Sequence, residues 1–303
     1  MPHSIRGGAC AAFLHLKNGG CAVFGTKLCL GINKQFGISG EDQIRLFYKT
    51  GFEAFFTGWD SDLPRYRQVA DELGMIYQSV HAPFGKAAKI WRGGDEAKAA
   101  TTELLKCVSD CAAVKVPILI VHPYIGFEDK ADPTESGVEN FRMVVEAARA
   151  QNVKIAFENV EGQEYLDALM QAFDSYENVG FCWDSGHELC YNKGKDMLAL
   201  YGHKLIATHI NDNLGVSDYS GRIFWTDDLH LLPFDGVHDW RSVAKRLNDC
   251  GYEDILTFEL TTVSKPNRHE NDKYAKMPLE EYIAECYIRA CRLAHMRKNI
   301  SSH

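Results

Sequence analysis

Short apolar runs recur along the chain, and each run is separated from the next by a segment of helical character. Continuous apolar runs of this length are typical of strands whose two faces are both buried in a parallel sheet. The predicted strands lie at 27–33, 52–56, 75–81, 117–122, 153–159, 178–184, 204–210 and 254–260. The predicted helices lie at 39–51, 63–73, 95–114, 135–151, 163–175, 194–202, 239–251 and 279–298.

Eight strands that alternate with helices predict a single α/β domain, a closed (β/α)8 TIM barrel over residues 27–303. Ser39 and Asp42 have the spacing of a helix capping box, and Gly51 marks the end of that helix. A doubly wound open sheet is the alternative architecture. Residues 1–26 precede the first strand and are treated as an N-terminal extension of unknown role.

The composition is that of an ordinary globular domain, with 303 residues, 46% hydrophobic and 24% charged. A formal net charge of −8 disfavours a general nucleic-acid-binding surface, although a local basic groove is compatible with it. Ten cysteines without a CxxC pair indicate a reducing, cytoplasmic location. No stretch approaches the roughly eighteen apolar residues of a membrane span, and the N-terminus makes a poor signal peptide.

Imidazoles and carboxylates stand at or just beyond the ends of the predicted strands, from the third strand onward. In a closed barrel, the carboxyl ends of all the strands surround one mouth, so residues far apart in the sequence converge there. These residues are His81, His122, Glu158, Asp184, His187, His209, Asp228, His230 and Glu259. Gly186 is expected to let the chain turn at the mouth, between Asp184 and His187.

Taken singly, each of these side chains could be a hydrogen-bonded loop residue, an ion-pair partner or the cap of a turn. Taken together, they would repel one another or lie desolvated, and a divalent cation would compensate them. The Lys and Arg residues mostly fall on predicted helices, away from the strand ends. Nitrogen and oxygen ligands without Cys suit Mn, Mg, Co, Zn or Fe and argue against a closed structural zinc site.

Seven motifs, placed in order along the strand ends, resemble the xylose isomerase-like barrels. This superfamily holds sugar isomerases and epimerases together with endonuclease IV. The motifs are SVHAPF, LIVHPY, AFENVEG, WDSGH, THINDN, DLHLLPFDGVHDW and FEL. Each motif is weak on its own, but their order over residues 27–298 is specific for the superfamily.

The resemblance implies two kinds of metal site. The sugar epimerases bind one divalent metal ion, and the matching ligands in this chain are Glu158, Asp184, His209 and Glu259. In such a site His187 would hydrogen-bond the oxygens of the substrate. Endonuclease IV binds three zinc ions, and its additional ligand positions match His81, His122, His187, Asp228 and His230.

The resemblance favours a sugar or sugar phosphate isomerase or epimerase that depends on a divalent metal and works through a metal-stabilised enediolate. Glu158 and Glu259 would remove and return the proton next to the carbonyl, as base and acid. The first alternative is a dehydratase or other lyase of the inosose or dehydroshikimate type, because the same site could lose a β-hydroxyl as water.

The second alternative is an abasic-site nuclease similar to endonuclease IV. Two features of the sequence lean away from it and toward sugars. Phe84 stands where the nuclease has a Tyr, and the segment after the second strand, TGWDSDLPRY, does not match the nuclease's DNA-penetrating loop.

The expected partner is therefore a small carbohydrate, with nucleic acid disfavoured and no membrane involved. Besides His187, the residues expected to contact this substrate are His81, His122, Asp228, His230 and Trp59. Trp91, Phe84 and Trp225 would either wall the mouth or pack in the core. Barrels of this kind often form dimers or tetramers, so the resemblance is compatible with a homo-oligomer.

Overall fold

A sheet of eight parallel strands, ordered β7-β6-β5-β4-β3-β2-β1-β8, forms the centre of a computed structural model that describes residues 25–127 and 131–300. The strands are β1 (Leu28–Gly31), β2 (Ala54–Gly58), β3 (Ile76–His81), β4 (Ile118–Val121), β5 (Lys154–Glu158), β6 (Val179–Asp184), β7 (Leu205–His209) and β8 (Leu256–Phe258).

Helices follow the strands and cover the outside of the sheet. The described α-helices are α1 (Gly40–Thr50), α2 (Leu63–Leu73), α3 (Gly94–Ala113), α4 (Glu135–Ala150), α5 (Gln163–Ala172), α6 (Ser185–Cys190), α7 (Met197–Tyr201), α8 (Trp240–Asp249), α9 (Asp272–Ala275) and α10 (Leu279–Asn299). Short 3-10 turns lie at Lys34–Phe36, Ala87–Trp91, Gly202–Lys204 and Trp225–Asp227.

The sheet closes into a barrel, because the first and last strands of its order, β7 and β8, lie next to each other. β1 pairs with both β2 and β8. Between β7 and β8, the backbone N–H of Ile210 donates to the carbonyl of Thr257 at 2.7 Å, and that of Glu259 donates to Ile210 at 3.2 Å. The predicted single-domain (β/α)8 barrel is therefore confirmed, and the open-sheet alternative is wrong.

The helices form where local signals and apolar stripes coincide. Oγ of Ser39 accepts the backbone N–H of Asp42 at 3.1 Å, which caps α1 as predicted. The outermost helix, α10, buries Ile283, Cys286 and Leu293 on one face against the barrel. Eight cysteines of the described ranges are free thiols.

A short helix directly after β6 differs from the prediction of a turn at Gly186. The carboxylate of Asp184 accepts the backbone N–H of His187 at 2.6 Å and so begins α6. A Cβ on Gly186 would lie 1.9 Å from Oδ1 of Asn211. The glycine is therefore required by the close approach of the THINDN loop to α6, and not by a turn.

The N-terminal extension predicted over 1–26 lies outside the described residues, except for its last two positions. Residues 128–130 and 301–303 also fall outside them. Within the described ranges, every helix is too short or too polar to cross a bilayer.

Candidate active site

The nine polar residues predicted at the strand ends lie together at the mouth of the barrel, and Glu158 is at their centre. This residue ends β5 and is fully buried. Its carboxylate lies 3.3–3.4 Å from ring nitrogens of four histidines, which are His81, His122, His187 and His209. Because these histidines lie at or just beyond the ends of β3, β4, β6 and β7, the barrel geometry brings them to one carboxylate.

Four of the residues form a set that we call the inner group: Glu158, Asp184, His209 and Glu259. Their ligand atoms all lie within 4.8 Å of one another. Nδ1 of His209 lies 3.0 Å from Oε2 of Glu259 and 3.3 Å from Oε1 of Glu158. These are the four residues to which the resemblance assigns metal ligation.

A shell of amides holds Asp184 in place within the inner group. Nδ2 of Asn211 donates to Oδ2 of Asp184 at 3.0 Å. Asn159 accepts the backbone N–H of Asp184 at 2.7 Å and donates to its carbonyl at 2.8 Å. Outer hydrogen bonds of this type fix the orientation of metal ligands.

The inner group suits a divalent cation. Within the described part of the chain, the oxygens of Glu158 and the ring nitrogens of His209 lie beside opposite charges but make no well-directed hydrogen bond, although both residues are fully buried. Buried charged groups that lack hydrogen bonds are costly, and a cation would supply the missing interactions. The donor set of three carboxylates and one imidazole is one that Mn, Mg, Co, Zn or Fe accepts.

The ionisation of the inner group reflects burial and the mutual charges. Burial raises the pKa of Asp184 to about 6. Burial also acts to raise the pKa of Glu158, but His209 and His122 outweigh it and hold that pKa well below its usual range. Burial acts to lower the pKa of His209, but the carboxylates of Glu158 and Glu259 keep it well above the usual value.

His187, Asp228 and His230 form a second set, the outer group, with ligand atoms also within 4.8 Å of one another. Nε2 of His230 lies 2.8 Å from Oδ2 of Asp228, and Nε2 of His187 lies 3.6 Å from Oδ1. Burial acts to lower the pKa of His230, but Asp228 raises it to about 9. Nδ1 of His187 contacts the carbonyl of Asn159 at 3.0 Å, and this contact directs Nε2 of the same ring toward Asp228.

His81 and His122 contact each other as well as Glu158, with 3.1 Å between their Nε2 atoms. Burial lowers the pKa of His122 to about 4, so its imidazole is neutral. The ring of Phe84 stacks on His122 at 4.9 Å between centroids.

A cavity of about 390 Å³ opens over these groups. This volume falls within the range of small-molecule sites, roughly 300–1,000 Å³. Its lining consists of His81, Phe84, His122, Ile125, Phe127, His187, Tyr191, Trp225, Asp228, His230, Glu259 and Lys265. The lining therefore combines aromatic and charged side chains.

Comparison with known proteins assigns the chain to a family. The family model described as the xylose isomerase-like TIM barrel matches residues 40–281. The chain belongs to this family. A relative from Sinorhizobium fredii, the uncharacterized protein y4fM, is 29% identical over 271 residues, with 76% of this chain and 82% of the relative covered.

Solved structures similar to this xylose isomerase-like barrel include the IolI protein with a bound zinc atom, which has a TM-score of 0.72 at 18% identity. D-psicose 3-epimerase with D-tagatose, from Clostridium cellulolyticum H10, has a TM-score of 0.66 at 16% identity. L-ribulose 3-epimerase has a TM-score of 0.65 at 15% identity. The matches cover 90–92% of this chain and 95–100% of those chains, and they show a shared fold.

One predicted site residue of this xylose isomerase-like barrel lies elsewhere. The structure does not bring Trp59 into the mouth cavity, because its indole N–H donates to Asp110 of α3 at 2.8 Å and its ring packs under Lys106. Trp91 is buried against Phe141 as a packing residue.

The sequence pattern missed Lys265, Tyr191 and Phe127, which all line the mouth. Lys265 is an exception to the expectation that the lysines mostly lie on helices, away from the strand ends. It stands in the loop after β8, and its Nζ donates to Asp228 at 3.3 Å. A search of the loops beyond the strand ends would have included it.

Proposed function

We propose that the chain is a divalent-metal-dependent isomerase or epimerase of a sugar or sugar phosphate. The observation that carries this proposal is the approach of two carboxylates, Glu158 and Glu259, to the same nitrogen of His209, at 3.3 and 3.0 Å. They come from β5 and from the end of β8, with β6 and β7 between them. The similarity to the structures of L-ribulose 3-epimerase and D-psicose 3-epimerase supports the same class.

In this proposal the carboxylates move the proton. One of them, Glu158 or Glu259, removes the proton next to the substrate carbonyl, and the other returns a proton. Return to the same carbon from its other face gives an epimer, whereas delivery to the neighbouring carbon gives an isomer. His187 donates a hydrogen bond to the oxygen where negative charge develops.

The inner group would hold the metal ion, and when bound the ion would supply Lewis-acid stabilisation of negative charge on a substrate oxygen. His81, His122, Asp228 and His230 line the cavity and would bind the hydroxyl groups of the substrate. Phe84 and Trp225 are half-exposed at the rim and would cover the apolar face of the sugar ring.

The experiment that tests the proposal is a panel of ketoses, aldoses and their phosphates incubated in D2O with Mn²⁺, Co²⁺ or Mg²⁺. We expect at least one of these compounds to exchange the proton next to its carbonyl and to form an epimer or isomer, as measured by NMR and chromatography. Exchange followed by loss of water would instead support the dehydratase alternative. Absence of exchange over the whole panel would contradict all enolising functions.

The nuclease alternative is favoured by two further sets with metal-ligand spacing, which are the outer group and a third set of His81, Glu158 and His209. A sugar enzyme with one metal in the inner group should contain about one ion per chain after purification without chelators. Elemental analysis measures this content. About three zinc ions, with cleavage of abasic duplex DNA, would favour the nuclease.

A further inference from the structure

A lysine reaches into the outer group. Nζ of Lys265 donates to Oδ2 of Asp228 at 3.3 Å and lies 5.6 Å from the ring centroid of Trp225. The Lys265 side chain is only 22% exposed, whereas Lys245 and Lys273, which also pair with carboxylates, are 50% and 59% exposed. The ammonium is therefore held inside the mouth and not on the outer surface.

The outer group has the composition of a metal site, but its carboxylate already has a cationic partner. Asp228 provides the single negative charge of the group, and its Oδ2 contacts both His230 and Lys265. A divalent ion on this carboxylate would stand next to the fixed positive charge of the ammonium. In a site that is mostly closed to water, such like charges repel strongly.

The inner group differs in this respect. It contains three carboxylates, and the ion pairs that the structure shows for them are with imidazoles, such as the pair between His209 and Glu259. An imidazolium such as that of His209 can give up its proton and then ligate a metal, whereas a lysine ammonium has no acceptor and is not a ligand while protonated. The inner group therefore keeps negative charge that a metal ion can neutralise, whereas the carboxylate of the outer group is already paired with Lys265.

We propose that the ammonium of Lys265 takes the place of a cation in the outer group and keeps this group free of metal. His187 and His230 then remain available to hydrogen-bond the oxygens of a substrate in the cavity that they line. The proposal concerns the outer group alone and does not depend on the reaction proposed above.

The test is the zinc content of the full chain after equilibration with excess Zn²⁺ and removal of unbound ion by gel filtration. We expect K265M to hold about one zinc ion per chain more than the wild type, because the outer group then lacks its cation. K265R keeps the charge and should match the wild type. The matched control is K273M, which removes a lysine that pairs with Asp235 at 2.9 Å and does not line the mouth.

A second comparison uses D228N, and its first arm does not require K265M to fold. D228N alone should leave the zinc content unchanged, since the outer group holds no ion, and in the K265M background it should remove the extra ion. Equal zinc content in folded K265M and wild type, or loss of one ion in D228N alone, would overturn the proposal. The zinc content of the wild type tests the metal site proposed for the inner group, whereas the difference between K265M and the wild type tests the role of Lys265. Failure of the proposed function can therefore be distinguished from failure of this inference.

Discussion

Gln in place of Glu158 or of Glu259 is expected to reduce exchange of the substrate proton next to the carbonyl by about 10³-fold. The amide has nearly the shape of the carboxylate and keeps an oxygen ligand, but it cannot accept the proton. Glu158 is fully buried and lies 3.3 Å from ring nitrogens of His187 and His209. The exchange rate is measured by NMR in D2O with the substrate found in the panel.

The metal content of each Gln variant separates two reasons for a loss of exchange. A variant that keeps its metal and loses exchange has lost the base, whereas a variant that loses both has lost a ligand. The matched control is E53Q. Glu53 accepts the N–H of Leu28 at 2.9 Å at the start of β1, which is the end of the strand away from the mouth, so this variant should leave exchange unchanged. Exchange at the wild-type rate in both E158Q and E259Q would refute the two-carboxylate scheme.

The fold could be predicted because its main signal is local. Each strand is a short apolar run that must be buried on both faces, and eight such runs leave few arrangements other than a barrel. The helix α6 was missed because six residues are too few to show helical periodicity. The sequence offers Asp184 as a metal ligand or as the cap of a turn, and the structure shows that its carboxylate begins this helix.

The convergence of the site residues could be predicted for a topological reason, since the barrel places every strand end at one mouth. The sequence pattern could not indicate the paths of the loops. Trp59 lies just after β2, but its loop turns outward and the indole bonds Asp110 on α3. Lys265 lies several residues after β8, but its loop returns over the mouth. The positions of Trp59 and Lys265 both depend on tertiary contacts, which the hydrophobic periodicity of the sequence does not indicate.

Loss of Arg246 is expected to destabilise the fold by about 3–5 kcal/mol, because it leaves a buried carboxylate without its counter-charge. The guanidinium on α8 donates two hydrogen bonds to Glu188 on α6, at 2.8 and 2.7 Å. Glu188 is 3% exposed, and its other partners are the neutral N–H groups of Trp183 and Met197. Urea denaturation of R246A measures the change in the free energy of unfolding.

The neighbouring residue on α8 provides the control for this experiment. Lys245 pairs with Asp249 at 2.6 Å on the exposed face of the helix, and K245A should cost less than about 1 kcal/mol. The double variant R246M/E188Q removes both charges and should recover much of the stability that R246A loses. Equal stability of R246A and K245A would contradict the prediction. Since α6 also carries His187, a loosened α6 in R246A should weaken the substrate binding proposed for this residue before the barrel itself unfolds.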